Sequence, residues 1–307
     1  MVGIPLLAQL DDVEADLIME IADGIHRIES DLGERLMCQY ALAGRDRSVL
    51  VDTGIADTPA QAIDPYLERT GLEPDLVVIS HADVDHSGGN RSFRSRHPDA
   101  AFACHELDRR WIESNTAMLR EHYSWHGPYG FPEPDADELL ALMGGDSPID
   151  IGLRGGETIR LGPDWRVEVL HLPGHTRGAV GIWDPRSRAA IVIDAVLADG
   201  IYDRHGRRLI PPRYCDLRAL RETIGRLEAL RPELLLTAHY AVLERDAALD
   251  WLATGRAFVD DIERLVRDAI ADGTTDLWQL TQLVDAELGP FPEVMTELGA
   301  TVLAASV

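Results

Sequence analysis

The chain contains no lysine; its 29 basic residues are all arginine. That absence excludes Schiff-base catalysis and a phosphate-loop lysine. Cysteine is scarce, with Cys38, Cys104 and Cys215 far apart and never in C-x-x-C spacing. This argues for a reducing compartment and against a disulfide framework, and each cysteine reads as a small buried apolar residue. No apolar run approaches the length of a membrane span. The first twenty residues lack a basic run and turn acidic by Asp11, so no signal peptide is expected and the expected location is cytoplasmic. Positive charge is also short. Against 29 arginines stand 53 acids, a formal net charge of −24. Such a field repels nucleic acid and anionic membrane surfaces, so the expected partner is a small molecule.

What the chain does contain is a dense polar stretch, Ile79-Ser80-His81-Ala82-Asp83-Val84-Asp85-His86-Ser87-Gly88-Gly89. Two histidines and two aspartates fall within six residues. The preceding Leu76-Val77-Val78-Ile79 reads as a buried strand. Four metal-capable side chains therefore sit on a loop at a strand's end. A loop can aim alternate side chains around one or two cations, which a regular helix or strand cannot.

Other strand ends carry residues of the same kind. Ser48–Val51 leads into Asp52-Thr53-Gly54, where glycine permits a tight turn and Asp52 can buttress a neighbouring loop. Arg166–Leu172 alternates as a strand and leads to Gly174-His175-Thr176. Ala189–Ile193 ends in Asp194, and Leu234–Thr237 leads to His239. One such coincidence is weak; the 81–86 loop, His175, Asp194 and His239 together point to one shared site on the edge of a layered fold. Between these strands, helices are expected over 57–70, 90–97, 105–122, 135–143 and 216–230. A hairpin through Gly155-Gly156 is expected over 151–162. Residues 123–132 are rich in aromatics, glycine and proline and read as a loop covering a pocket, with Tyr123, Trp125, His126 and Tyr129 as candidate substrate contacts. His122 and His126 are further candidates to support the site. Arg204 and Arg213, in the arginine-rich segment after Asp194, are candidates for gripping an acidic substrate.

The chain divides into an expected catalytic domain, 1–245, and a helical domain, 246–307. The latter reads as three amphipathic helices over 247–271, 276–288 and 293–305. It carries 11 acids and three arginines between 247 and 305. A winged-helix relative would suit three such helices, but that charge argues against DNA binding. Docking, homodimer formation or a wall of the active site are the roles expected of it.

Over residues 24–245 the sequence resembles the metallo-β-lactamase-fold hydrolases, the superfamily that includes glyoxalase II, lactonases, flavodiiron proteins and RNA-processing nucleases. The resemblance rests on the strand-end Asp52, the His-x-Asp-x-Asp-His loop at 81–86, Gly-His-Thr at 174–176, Asp194 and His239, in that order. It implies an α+β fold, an αβ/βα sandwich of two mixed β-sheets flanked by helices. It also implies two divalent metal ions, one on His81, Asp83 and His175, the other on Asp85, His86 and His239, with Asp194 bridging and Asp52 supporting the loop. The implied chemistry is hydrolysis of a small ester, thioester or lactone-like substrate by a metal-bound hydroxide, with Asp85 and Asp194 orienting it and shuttling its proton.

The second loop position is where the sequence departs from the family. Most of these hydrolases carry histidine there and the flavodiiron proteins glutamate, whereas this chain has Asp83. Zinc is the usual family metal, but three carboxylates shift preference toward iron or manganese. The carboxylate-rich site also admits a non-haem di-iron redox enzyme, although no flavodoxin-like or rubredoxin-like segment is evident. A metal-binding, non-catalytic protein is the third reading. Leu197 stands where the acyl-homoserine lactonases carry tyrosine, which counts against that activity.

Overall fold

Val49 and Val51 point one way from their strand and Leu50 the other, and this alternation organises the molecule. The computed structural model describes residues 19–124, 133–291 and 295–307. Its first sheet takes β1 (Met19–Ala22), β2 (Ile25–Leu32), β3 (Arg35–Ala43), β4 (Ser48–Val51), β5 (Leu76–Ile79), β6 (Ala101–His105) and β7 (Ile151–Leu153), in that spatial order. The pairs from β1 to β4 are antiparallel and those from β4 to β7 parallel. The second sheet is built from β8 (Thr158–Arg160), β9 (Arg166–His171), β10 (Val180–Asp184), β11 (Ala189–Ile193), β14 (Leu234–Thr237) and β15 (Leu243–Glu244). There β11 and β14 are parallel and the other pairs antiparallel. A small ribbon, β12 (Ile201–Tyr202) with β13 (Arg208–Ile210), stands apart.

Both sheets are therefore mixed, and they face each other. Val49, Val51 and Val78 from one meet Val167, Ile182, Ile191 and Leu236 from the other in the central core. On the outer face of the first sheet, Leu50, Val77 and Ile79 pack with Phe93 and Tyr66 from helices. On the outer face of the second, Ala190 and Val192 pack with Leu220, Ile224 and Trp251. The layering is helix, sheet, sheet, helix, the expected αβ/βα sandwich. No helix among the described residues is long and apolar enough to cross a membrane.

Two local expectations are corrected. Residues 151–162 do not form a hairpin: β7 joins the first sheet beside β6, and β8 joins the second beside β9. Gly155 and Gly156, both at positive φ, carry the chain between sheets instead. A side chain at Gly155 would lie 2.5 Å from His171 Cβ, so the close approach requires glycine. Residues 105–122 do not form one helix either. Helix Arg109–Glu113 stops at Ser114, whose backbone is extended and whose hydroxyl accepts the Ala117 N–H to begin another short turn.

The C-terminal region is helical: Arg245–Ala271, Leu277–Leu288 and Met295–Ala305, with no strand among the described residues. Its first helix serves two cores. Ala248, Trp251 and Leu252 pack on the second sheet. Further along, Ile262 and Val266 close a small separate core with Leu280, Val284, Leu298 and Val302.

Candidate metal centre

Strand ends build the site. Chain leaving β4, β5, β9, β11 and β14 reaches Asp52, the His81–His86 loop, His175, Asp194 and His239. Asp83 has an extended backbone, φ −129° and ψ 154°, and the short helix Val84–Ser87 begins directly after it. That switch sends Asp83 and Asp85 in different directions. Ile193 is β-branched yet has φ of 53°, and the β11–β14 register shifts between Ile191 and Ile193. The kink is strained, at a typical cost of about 1–3 kcal/mol, and it stands immediately before Asp194.

The seven candidate ligands come together, all buried or half-buried. Ligand atoms of His81, Asp83 and His175 lie within 4.8 Å of one another. The same holds for Asp85, His86 and His239, and for His81, His86 and Asp194. Asp83 Oδ2 is 3.3 Å from His81 Nε2 and 2.9 Å from His175 Nε2. Asp194 Oδ2 is 3.2 Å from both His86 Nε2 and His239 Nε2.

Each imidazole is fixed from behind. His86 Nδ1 donates to Asp52 Oδ2 at 2.9 Å, His175 Nδ1 to the Arg213 carbonyl at 2.7 Å, and His239 Nδ1 to the Leu36 carbonyl at 2.9 Å. His81 Nδ1 donates to the Ser80 hydroxyl at 2.9 Å, which itself donates to Asp52. These acceptors hold a proton on Nδ1 in all four rings, so Nε2 is the nitrogen that each ring aims inward. Asp52 also accepts the Ser80 backbone N–H at 2.7 Å, so it supports both His81 and His86. His81 Nε2 and Asp194 Oδ1 are buried with no hydrogen-bond partner among the described residues. Native proteins rarely leave such atoms unsatisfied, and inward Nε2 atoms beside carboxylate oxygens are a donor set that fits a divalent cation.

The charges agree. Burial pushes the His86 pKa down, but Asp85, Asp194 and Asp52 together raise it well above the ordinary imidazole value. His175 is raised in the same way, against burial, by Asp83 and Asp194. Burial works against the ionised forms of Asp83 and Asp194, yet their histidine neighbours hold both carboxyls well below the usual range. His122 differs: burial and the Arg213 guanidinium lower its pKa to about 4, so it is neutral at neutral pH.

The site floors a cavity of about 200 Å³. Leu32, Leu139, Leu142, Leu197, Ile201 and Ile210 supply much of its wall. Tyr123 and Arg213 line it and both contact Asp83: the Tyr123 hydroxyl donates to Oδ1 at 3.0 Å, and Arg213 Nη1 lies 3.6 Å away. Arg204 does not line it; its partner is Asp31 on the surface. Trp125, His126 and Tyr129 lie outside the described residues.

Three contributors escaped sequence reasoning. Asp108 is fully buried; it accepts from Ala82 N, the Thr176 hydroxyl and Gly178 N, tying the His81 loop to the His175 loop. Glu297, from the last helix, lines the cavity and pairs with Arg213 at 3.3 Å. Arg35 lines the cavity with no ion-pair partner among the described residues. None belongs to a motif, and no local pattern singles them out.

The family model described as the metallo-beta-lactamase superfamily matches residues 38–239. The chain belongs to the metallo-beta-lactamase superfamily. Membership and the His/Asp clusters together support divalent-metal binding. Among its relatives is the protein named acyl-coenzyme A thioesterase MBLAC2 of Homo sapiens, 25% identical over 201 residues, covering 59% of this chain and 66% of the relative. Another is a hydroxyacylglutathione hydrolase of Mesorhizobium japonicum, 29% identical over 149 residues, 48% of this chain and 44% of the relative. The chain thus spans from under half to about two thirds of the length of these curated relatives. A solved metallo-beta-lactamase family protein of Thermus thermophilus shares the fold, with a TM-score of 0.71, 19% identity and 93% of each chain covered.

Proposed function

We propose that the protein is a metal-dependent hydrolase of a small ester or thioester with an apolar acyl part, working with two divalent cations. The observation that carries this reading is the set of four imidazoles, each anchored through Nδ1, whose Nε2 atoms converge beside Asp83, Asp85 and Asp194. His81, Asp83 and His175 would hold one cation and Asp85, His86 and His239 the other. Asp194, with Oδ2 beside His86 and His239 and Oδ1 without a partner, would serve both. Bound there, the cations supply Lewis-acid polarisation of the acyl carbonyl and make hydroxide available near neutral pH.

The chain's own residues do the rest. Asp83, Asp85 and Asp194 balance the cationic charge, and as hard oxygen donors they favour iron or manganese over the family's usual zinc. Asp85 or Asp194 accepts the proton of the attacking water and passes it to the leaving group. The leucine and isoleucine wall holds the acyl part and keeps bulk water away. Arg35 meets an anionic group on the substrate, which suits an acidic protein that otherwise repels anions. The relatives named as a thioesterase and as a hydroxyacylglutathione hydrolase make thioesters the first class to try.

The test is metal quantification on protein purified without chelator. Metal stripping follows, then reconstitution with zinc, manganese or iron, and assay on thioesters, esters and lactones. Turnover is expected to return with metal in the wild type and to be absent in Asp194→Ala. No turnover of any of them under any metal would sink the hydrolase reading. Two equivalents of iron with redox-linked absorbance would favour the di-iron redox alternative, which the three carboxylates support.

A further inference from the structure

Asp83 has two oxygens in different surroundings. Oδ2 faces His81 and His175 at 3.3 and 2.9 Å. Oδ1 faces the other way. It lies 2.6 Å from His122 Nε2, 3.0 Å from the Tyr123 hydroxyl and 3.6 Å from Arg213 Nη1. All three of these side chains are buried. His122 donates from Nε2 to Asp83, and the Arg213 guanidinium packs along its ring, with Nη1 2.8 Å from Nε2, Nη2 3.1 Å from Nδ1, and Nη2 donating to the His122 carbonyl. Arg213 is gripped in turn by Glu297 from the last helix, while its own carbonyl holds His175. The Tyr123 hydroxyl accepts the Val84 N–H at 3.0 Å, fixing it against the same loop. A chain of buried contacts therefore runs from the C-terminal helix to one oxygen of one carboxylate.

Resting on the two-cation reading above, we propose that His122, Tyr123 and Arg213, with Glu297 behind them, are positioning residues. They reserve Oδ1 and present Oδ2 alone to the cation shared with His81 and His175. A carboxylate with both oxygens free can bind a cation through one or both, and can rotate between the two. Hydrogen bonds that occupy the lone pairs of Oδ1 remove that choice. The two groups are thereby unequal. The one containing Asp83 depends on this outer cradle and on the C-terminal helix. The rings of the one containing His86 and His239 are held by the Leu36 carbonyl and by Asp52, which also reaches His81 through Ser80. The cradle also gives the helical segment a role within the centre itself.

The experiment titrates full-length, metal-stripped protein with cobalt(II) chloride and follows absorbance and stoichiometry. It compares wild type with Asp83→Ala, His122→Ala, His122→Gln, Tyr123→Phe and Glu297→Gln; circular dichroism confirms that each is folded. Tyr123→Phe keeps the ring's packing and serves if His122→Ala does not fold. The expected result is two phases in the wild type, one of which Asp83→Ala removes. His122→Ala and Tyr123→Phe weaken that same phase by roughly 10–100-fold, with altered cobalt absorption bands, and leave the other unchanged. His122→Gln, which keeps an N–H donor, restores much of it, and Glu297→Gln weakens it less. Equal weakening of both phases, or of neither, overturns the cradle while leaving the two-cation reading intact. A single phase in the wild type, insensitive to Asp83→Ala, overturns the cradle and the two-cation reading but leaves one cation at Asp85, His86 and His239. A single phase that Asp83→Ala abolishes overturns only the two-cation reading, and the response of that phase to His122→Ala still decides the cradle. No cobalt uptake overturns both.

Discussion

The Asp52 carboxylate and the His86 imidazole meet at 2.9 Å with neither side chain exposed to solvent. The same carboxylate holds Ser80 through its backbone and its hydroxyl, and through that hydroxyl His81. One strand-end residue thus orients two of the four imidazoles. Asp52→Ala leaves these donors buried and unpaired. It is expected to cost about 3 kcal/mol of stability in urea melts and to lower metal affinity roughly 10–100-fold by chelator competition. A variant with wild-type affinity would show that the carboxylate is not needed to aim the rings.

The glycine pair that ends the loop is required by close approach. A Cβ on Gly89 would lie 2.3 Å from the Thr53 carbonyl oxygen, and one on Gly88 would lie 2.4 Å from that of Leu142. Gly89→Ala is expected to destabilise the fold by about 1–3 kcal/mol, because backbone, not a flexible side chain, must give way. Thermal melts of metal-free protein read this directly; an unchanged melting temperature would contradict the packing.

Without a cation, His86 and His175 titrate above the ordinary imidazole value. The folded protein then keeps protons that the unfolded chain has released. This stabilisation is complete below the unfolded value of about 6.5 and is lost as pH rises through the folded values. His122, lowered to about 4 by burial and Arg213, acts in the opposite sense but only below that unfolded value. Metal-free protein is therefore expected to lose thermal stability as pH rises above the unfolded imidazole value of about 6.5, while metal affinity rises in the same direction as protons cease to compete. A metal-free melting temperature that climbs over this window would contradict the charge balance.

Arg35 is the cavity-lining cation without a carboxylate partner among the described residues; Arg213 already faces Asp83 and Glu297. Arg35→Gln is expected to raise KM about tenfold for thioesters bearing a carboxylate and to leave KM for neutral ones and kcat for both nearly unchanged. Equal effects on charged and neutral substrates would assign Arg35 to packing instead.

Residue pattern alone predicted the layered fold and the seven candidate ligands. Buried strands declare themselves as short β-branched runs such as Leu76–Ile79, and polar residues directly after such runs stand out against them. The two-sheet sandwich was implied by the family resemblance, and its physical basis is visible at Val49, Leu50 and Val51, which meet a core on each face of their strand. Tertiary structure decided what local pattern cannot carry. Residues 151–162 divide between two sheets because pairing partners lie far away in the chain, at β6 and β9. Asp108, Glu297 and Arg35 enter the site or its support through contacts across dozens to hundreds of residues, with no motif to mark them. Asp83 shows both limits at once. Its place in the loop was legible, because spacing along the chain sets which residues share a strand end. The use of its two oxygens was not, because His122, Tyr123 and Arg213 reach it only when the chain is folded.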